Sequence, residues 1–158
     1  MFRFLLAGLT IFTFAGLAEA RDLLGQSDID KCIEVRDTAG ENVTDCVDIA
    51  QSQCNTFGTK APLAALQCFR GVKEEWDEYI RTRMEQVNQT ANEKLFALVQ
   101  IEVKYDLLQN LLQCDRMTEL QLLQSPSPEE SALQQARCEA TATGLVYVKF
   151  YWQSRNIE

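Results

Sequence analysis

Beyond the first twenty residues, apolar side chains recur at three- and four-residue steps, and no stretch shows the apolar–polar alternation of a half-buried strand. In APLAALQCFRGVKEEWDEYIRTRMEQVNQ, residues Leu66, Phe69, Val72, Trp76, Tyr79, Ile80 and Val87 share one side of a long predicted helix. Thr59 is its candidate N-cap, and Pro62 falls in the first turn, where a missing N–H does little harm. Polar NQTAN at 88–92 interrupts the pattern. A second long helix is expected over 91–124, where Leu95, Leu98, Val99, Ile101, Tyr105, Leu108, Leu112 and Met117 give a broad apolar face. SPSPEE at 125–130 then stops one helix and starts another: Ser127 as N-cap, Pro128 at the first position, and Glu129 and Glu130 against the positive end of the helix dipole. Leu133, Ala136, Ala140, Leu145, Val148 and Trp152 mark the face of this last helix, and small residues in CEATATG would let a neighbour pack close. Ahead of these lie two short helices, over 28–37 and over 45–55 with Thr44 as cap, separated by the turn residues Gly40-Glu41-Asn42. The expected fold is all-α: two short N-terminal helices followed by two or three longer ones in a bundle.

The start of the chain changes the compartment. MFRFLLAGLTIFTFAGLAEA places Arg3 before an apolar run and ends on an A-x-A pattern, so residues 1–20 are expected to be a signal peptide cleaved after Ala20. Residues 21–158 then form one helical domain, exported and without a membrane anchor, because Glu102, Lys104 and Asp106 break the greasiest later run. All six cysteines lie beyond residue 20, an even count that reads as a disulfide framework in an oxidising compartment. With no C-x-x-C pair and no histidine, no metal or cofactor is expected, and Ser-His-Asp and Cys-His catalysis drop out. In an antiparallel helix pair, residues equidistant from the turn sit side by side. The midpoint of Cys114 and Cys138 is position 126, inside the SPSP turn, so these two are expected to pair. Cys46 and Cys54 lie about 12 Å apart on one helix, too far to bond each other. They look outward to Cys32 and Cys68, and 32–46 with 54–68 or 32–54 with 46–68 fit equally well.

A formal charge of −8 repels nucleic acid and anionic lipid and attracts basic proteins. Its densest local expression is Glu74, Glu75, Asp77 and Glu78 around Trp76. Paired carboxylates serve glycoside cleavage, but neighbours on a helix point apart, and such a run reads as a solvated face available to a partner. Tyr147, Phe150, Tyr151 and Trp152 crowd the end of the last helix, with Tyr147 and Tyr151 expected in the core. No glycine-rich phosphate loop or basic stripe is present, so nucleotide and nucleic-acid functions are not expected.

The cysteine pattern carries a resemblance. Cys32-Ile33, Asp45-Cys46, the A-x-x-x-C spacing ending at Cys54, and Cys68-Phe69 followed eight residues later by Trp76-Asp77 resemble the lysozyme inhibitor LprI-like N-terminal domain family, in a cysteine-rich proteobacterial form. Ile80-Arg81 and Met84 stand where that family continues with Leu-Asn and a tyrosine. The resemblance implies a bacterial periplasmic or envelope protein that binds a basic lysozyme and acts by occlusion, not catalysis. Glu74, Glu75, Asp77 and Glu78 would form the binding face. One rival is a carrier of small apolar ligands, since insect odorant-binding proteins are also acidic, helical and six-cysteine, although their second and third cysteines lie four apart against eight here. Another is a non-catalytic subunit of an envelope complex.

Overall fold

A computed structural model of the chain describes residues 24–124 and 126–157. The expected signal peptide lies outside the described residues. Five α-helices occupy the described part: α1 (Gln26–Ala39), α2 (Asp45–Phe57), α3 (Pro62–Thr90), α4 (Glu93–Leu122) and α5 (Pro128–Ser154), with a single 3₁₀ turn, Gly58–Lys60, between α2 and α3. The disulfide-stapled helical bundle expected from the sequence is what forms.

Several helix ends follow from local chemistry. α1 closes on Gly40 in the left-handed region at φ 70°, and the N–H groups of Gly40 and Glu41 bond back to Asp37 and Arg36 carbonyls. α4 starts at Asn92, whose side chain accepts from the Leu95 N–H. At α5, Ser127 accepts from the Glu130 N–H while the Glu130 carboxylate accepts from the Ser127 N–H, the reciprocal arrangement that SPSPEE predicts. Two cap expectations fail. Thr44 sits at the N-cap of α2, but its hydroxyl and its N–H are both used by Asn42 Oδ1, so it caps nothing. Thr59 falls inside the 3₁₀ turn, and α3 begins after an uncapped Ala61 with Pro62 at its first position.

α5 is the hub. α3 and α4 both lie along it and touch each other little, while α1 and α2 cover the remaining side of the α3–α5 pair. The packing depends on small residues: Ala136, Ala140, Ala142, Thr143 and Gly144 are all buried on α5. The Trp76 indole and the Val47 side chain press onto Gly144 so closely that a Cβ there would lie 2.9 Å and 2.8 Å from them. Around this contact Trp76, Phe69, Tyr147 and Phe150 are almost fully enclosed, with the Trp76 and Tyr147 ring centroids 5.6 Å apart. Burying each such side chain is worth about 1.5–3 kcal/mol, so this cluster is the main adhesive between α3 and α5.

Cys114 bonds Cys138 across the α4–α5 hairpin as its turn geometry requires. Of the two open schemes for the others, the structure takes Cys32–Cys46, tying α1 to α2, and Cys54–Cys68, tying α2 to α3. The apolar side of α3 is as expected, with Leu66, Phe69, Val72, Trp76, Ile80 and Val87 buried and Tyr79 partly so. That of α4 is not. Val103 and Cys114 are its buried residues, joined by partly buried Phe96, Val99 and Leu107, whereas Leu98, Ile101, Tyr105, Leu108, Leu112 and Met117 are exposed. On α5, Ala136, Ala140 and Val148 are buried as expected, while Leu145 and Trp152 are exposed and Val146, Tyr147, Phe150 and Tyr151 also face inward.

Candidate functional site

The four acids on α3 flank a buried residue and do not all face the same way. Trp76 points into the core, Glu74, Asp77 and Glu78 are exposed, and Glu75 is half-buried. Asp77 accepts from Lys73 Nζ at 2.7 Å, and Glu78 is paired with Arg81, which also reaches Glu85 at 2.5 Å. Arg81 is held above its ordinary pKa, first by its hydrogen bond to Glu78. The negative field of Glu75 helps to raise Tyr79 to a pKa of about 12, burial being the larger cause. The acidic run therefore divides in three: Glu74 and Glu78 on the outer crest, Glu75 beside Tyr79, on which its field acts, and Asp77 at the edge facing α4.

At that edge α3 and α4 diverge above α5 and leave a groove of about 400 Å³. Ile80, Met84, Phe96 and Leu107 supply its apolar walls, and Asp77, Arg81 and Glu85 line it from α3. Apolar walls under a charged rim suit a protein surface with apolar anchors and a basic periphery. Asp77 and Glu85 are two helical turns apart, about 12 Å along the axis, and each is tied to a cation, so no two carboxylates converge there on one bond.

A second groove, of about 330 Å³, runs on the other flank of α4 beside the Cys114–Cys138 bridge. Met117, Ala142 and Leu145 give it apolar walls. Arg137 also lines it, with its guanidinium carbon 5.1 Å from the Phe69 ring centroid, and its buried Nε–H has no hydrogen-bond partner among the described residues. The buried Nε2 of Gln51 is unsatisfied too, while its Oε1 accepts from Thr141, which lines the same groove. A third such donor, the Trp76 indole N–H, lies in the core against Gly144.

A third set of acids lies outside the sequence expectations. Asp30, Glu34 and Asp37 follow one face of α1 and meet Tyr147 and Tyr151 of α5 and Arg155 just past its end: Tyr147 donates to Asp30, Tyr151 to Glu34 at 2.6 Å, and Arg155 to Asp37 at 2.6 Å. Arg83 of α3 stacks 4.9 Å over the Tyr151 ring and donates to Ser154 Oγ. Burial raises the Asp30 carboxyl above its usual range against the opposing pull of the Tyr147 hydrogen bond. Burial also lifts Tyr147, and Tyr151 to about 12, while the Arg155 hydrogen bond holds Asp37 low. Spacing alone, 30–34–37 against 147–151–155, was the available signal, but it becomes readable only once α1 and α5 are known to be neighbours. These acids are spent on docking α1.

No helix among the described residues is long and apolar enough to cross a membrane, and no cluster of potential metal ligands occurs among them. Compared with known protein families, with curated proteins and with solved structures, the chain finds no match.

Proposed function

We propose that this chain is an exported binding protein of the bacterial envelope that acts by occupying the surface of a basic protein, with a lysozyme as the first partner to test. One observation carries the reading: the charged outer face of α3 borders an apolar groove, on a scaffold held rigid by three disulfides. The disulfides favour an oxidising compartment, and the charge of −8 suits host-defence lysozymes, which are basic. Inhibition would come from covering the enzyme's cleft. A carboxylate hydrolase is the weaker reading, because the acids of α3 diverge or are paired with cations.

The experiment is calorimetry of the oxidised protein with a panel of c-type and g-type lysozymes at low and physiological salt, with a turnover assay beside it. Micromolar or tighter binding with loss of turnover supports inhibition. Substituting Glu74→Lys, Asp77→Lys and Glu78→Lys, while leaving half-buried Glu75, is expected to slow association about tenfold or more at low salt. Unchanged association in that variant removes this face from the mechanism, and silence across the panel removes lysozyme as the partner.

A specific observation favours a second reading, uptake of a small apolar ligand bearing an anionic group. Arg137 lines the groove between α4 and α5 beside the apolar Met117, Ala142 and Leu145, and the volume of that groove falls in the range of small-molecule sites. Binding of an anilinonaphthalene sulfonate probe that is lost in Arg137→Gln would support it, and equal binding by both proteins would refute it.

A further inference from the structure

Two helices flank α5, and their outer faces differ. That of α3 is charged, as a wet face should be. That of α4 carries Lys94, Leu98, Ile101, Tyr105, Leu108, Leu112, Asp115 and Glu119 at alternating steps of four and three, and all eight are exposed. The five apolar members are 47 to 65 % exposed. Alternating three–four spacing over more than two heptads is the seam of a two-stranded coiled coil, narrower than the stripe by which a helix packs on a globular core. The core-facing side of α4 is a separate set, Phe96, Val99, Val103, Leu107 and Cys114. This helix is apolar on two opposite sides, and the described residues cover one of them.

The order of charges along the seam selects the occupant. It begins with Lys94 and ends with Asp115 and Glu119, none of which is in an ion pair among the described residues. A second copy laid parallel would set Lys94 against Lys94, Asp115 against Asp115 and Glu119 against Glu119. Laid antiparallel, with each residue i opposite 213 − i, it sets Lys94 against Glu119, Leu98 against Asp115, Ile101 against Leu112 and Tyr105 against Leu108, each pair occurring twice about the two-fold axis. At the flanking positions Glu102 meets Gln109 and Lys104 meets Leu111, so no like charges face each other. We infer that the protein forms an antiparallel homodimer through α4 in this register. Covering five half-exposed side chains on each copy, at roughly 100 Å² apiece, with their flanks, removes about 1,000–1,300 Å² from water. That is the low edge of specific interfaces, the size class of weak or transient associations. The dimer leaves the charged crest of α3 free on both copies, and it stands whether or not that crest binds a lysozyme.

Sedimentation equilibrium of the oxidised protein from about 1 to 500 µM tests the association, and zero-length carboxyl–amine cross-linking tests the register. Lys94 and Glu119 of one chain are about 38 Å apart along α4, so a Lys94–Glu119 cross-link can form only between copies. The expected results are a monomer–dimer equilibrium, that cross-link, and at least a hundredfold weaker association in Leu108→Glu with unchanged helix content. Lys94→Glu should weaken association, and adding Glu119→Lys should restore it. A monomer throughout the concentration range overturns the proposal. So does a dimer indifferent to Leu108→Glu, or one in which the charge swap fails to rescue.

Discussion

Gly144→Ala is the sharpest test of how the core is built. In an ordinary helix the exchange stabilises by about 1 kcal/mol, because glycine is the poorer helix former. Here the new methyl would lie 2.8 Å from Val47 Cγ1 and 2.9 Å from two atoms of the Trp76 indole. Carbon atoms rest at about 3.5–4.0 Å, so the neighbours must retreat by roughly 0.6–1.2 Å. Neither is the free end of an exposed chain: Val47 and Trp76 are each 1 % exposed, and Trp76 is hemmed in by Tyr79 and Tyr147. Overpacking of this kind costs about 1–3 kcal/mol and occasionally more, which outweighs the helical gain. With both neighbours enclosed the cost falls in the upper half of that range, so a net loss of about 1–2 kcal/mol is expected, a fall in Tm of about 3–8 °C for a domain of this size. Urea and thermal unfolding followed by circular dichroism, with the disulfides intact, measure it. Val47→Ala removes the nearer obstacle, so the double variant should lose less than the sum of the two single losses. A Gly144→Ala protein as stable as its parent, or additive losses, would refute the argument that the α3–α5 contact depends on a missing Cβ.

Replacing Cys114 and Cys138 together by serine opens a loop with a sequence separation of 24 residues and should cost about 3.5 kcal/mol by loop entropy, against about 3 kcal/mol for either 14-residue pair; denaturant titration gives the comparison. Equal stability of the bridged and unbridged proteins would deny the staple its role. Tyr79 and Tyr151, both raised to about 12, and Tyr147, raised further, stay protonated in the fold after an unfolded chain would begin to ionise near pH 10. Their contribution is therefore fully present below pH 10 and is lost as pH climbs through the folded values, so unfolding free energy should fall between pH 10 and 12. Flat stability across that interval, measured by urea titration at each pH, would contradict it. Tyr151→Phe leaves the Glu34 carboxylate without its donor and should destabilise by about 1–2 kcal/mol, while an unchanged urea midpoint would show that this bond contributes nothing to holding α1.

Most of the backbone was legible in the sequence because its signals are local. SPSPEE contains the cap, the N1 proline and the reciprocal glutamate within four residues, and the stripe of α3 has a charged opposite side that fixes its phase. The phase of α4 is ambiguous in the sequence for a physical reason. With Phe96, Val99, Val103 and Leu107 on one side and Leu98, Ile101, Tyr105, Leu108 and Leu112 on the other, period alone cannot say which face is core. Cys114 could have decided it. A cysteine expected to bond Cys138 must face α5, and steps of three or four back from it reach Leu107, Val103, Val99 and Phe96, the positions the structure packs inward. A disulfide thus sets the phase of its helix as well as holding a loop, and the outward seam is what remains once that phase is fixed.

The acids show the opposite limit. Asp30, Glu34 and Asp37 on α1 look like Glu74, Glu78 and Glu85 on α3: carboxylates at steps of three, four or seven on a solvent-exportable face. Their fates are set by what lies across from them. α1 meets two tyrosine hydroxyls and an arginine more than a hundred residues away in sequence, and its carboxylates become structural acceptors. α3 meets water on that side, so its carboxylates pair with their own lysine and arginine neighbours or remain free to act on something outside the chain. Only the second kind can meet a partner without first dismantling the fold. That argument, and not the local density of negative charge, makes Glu74, Asp77 and Glu78 the residues to reverse: a change there alters the field a basic protein would encounter while leaving the contacts that dock α1 intact.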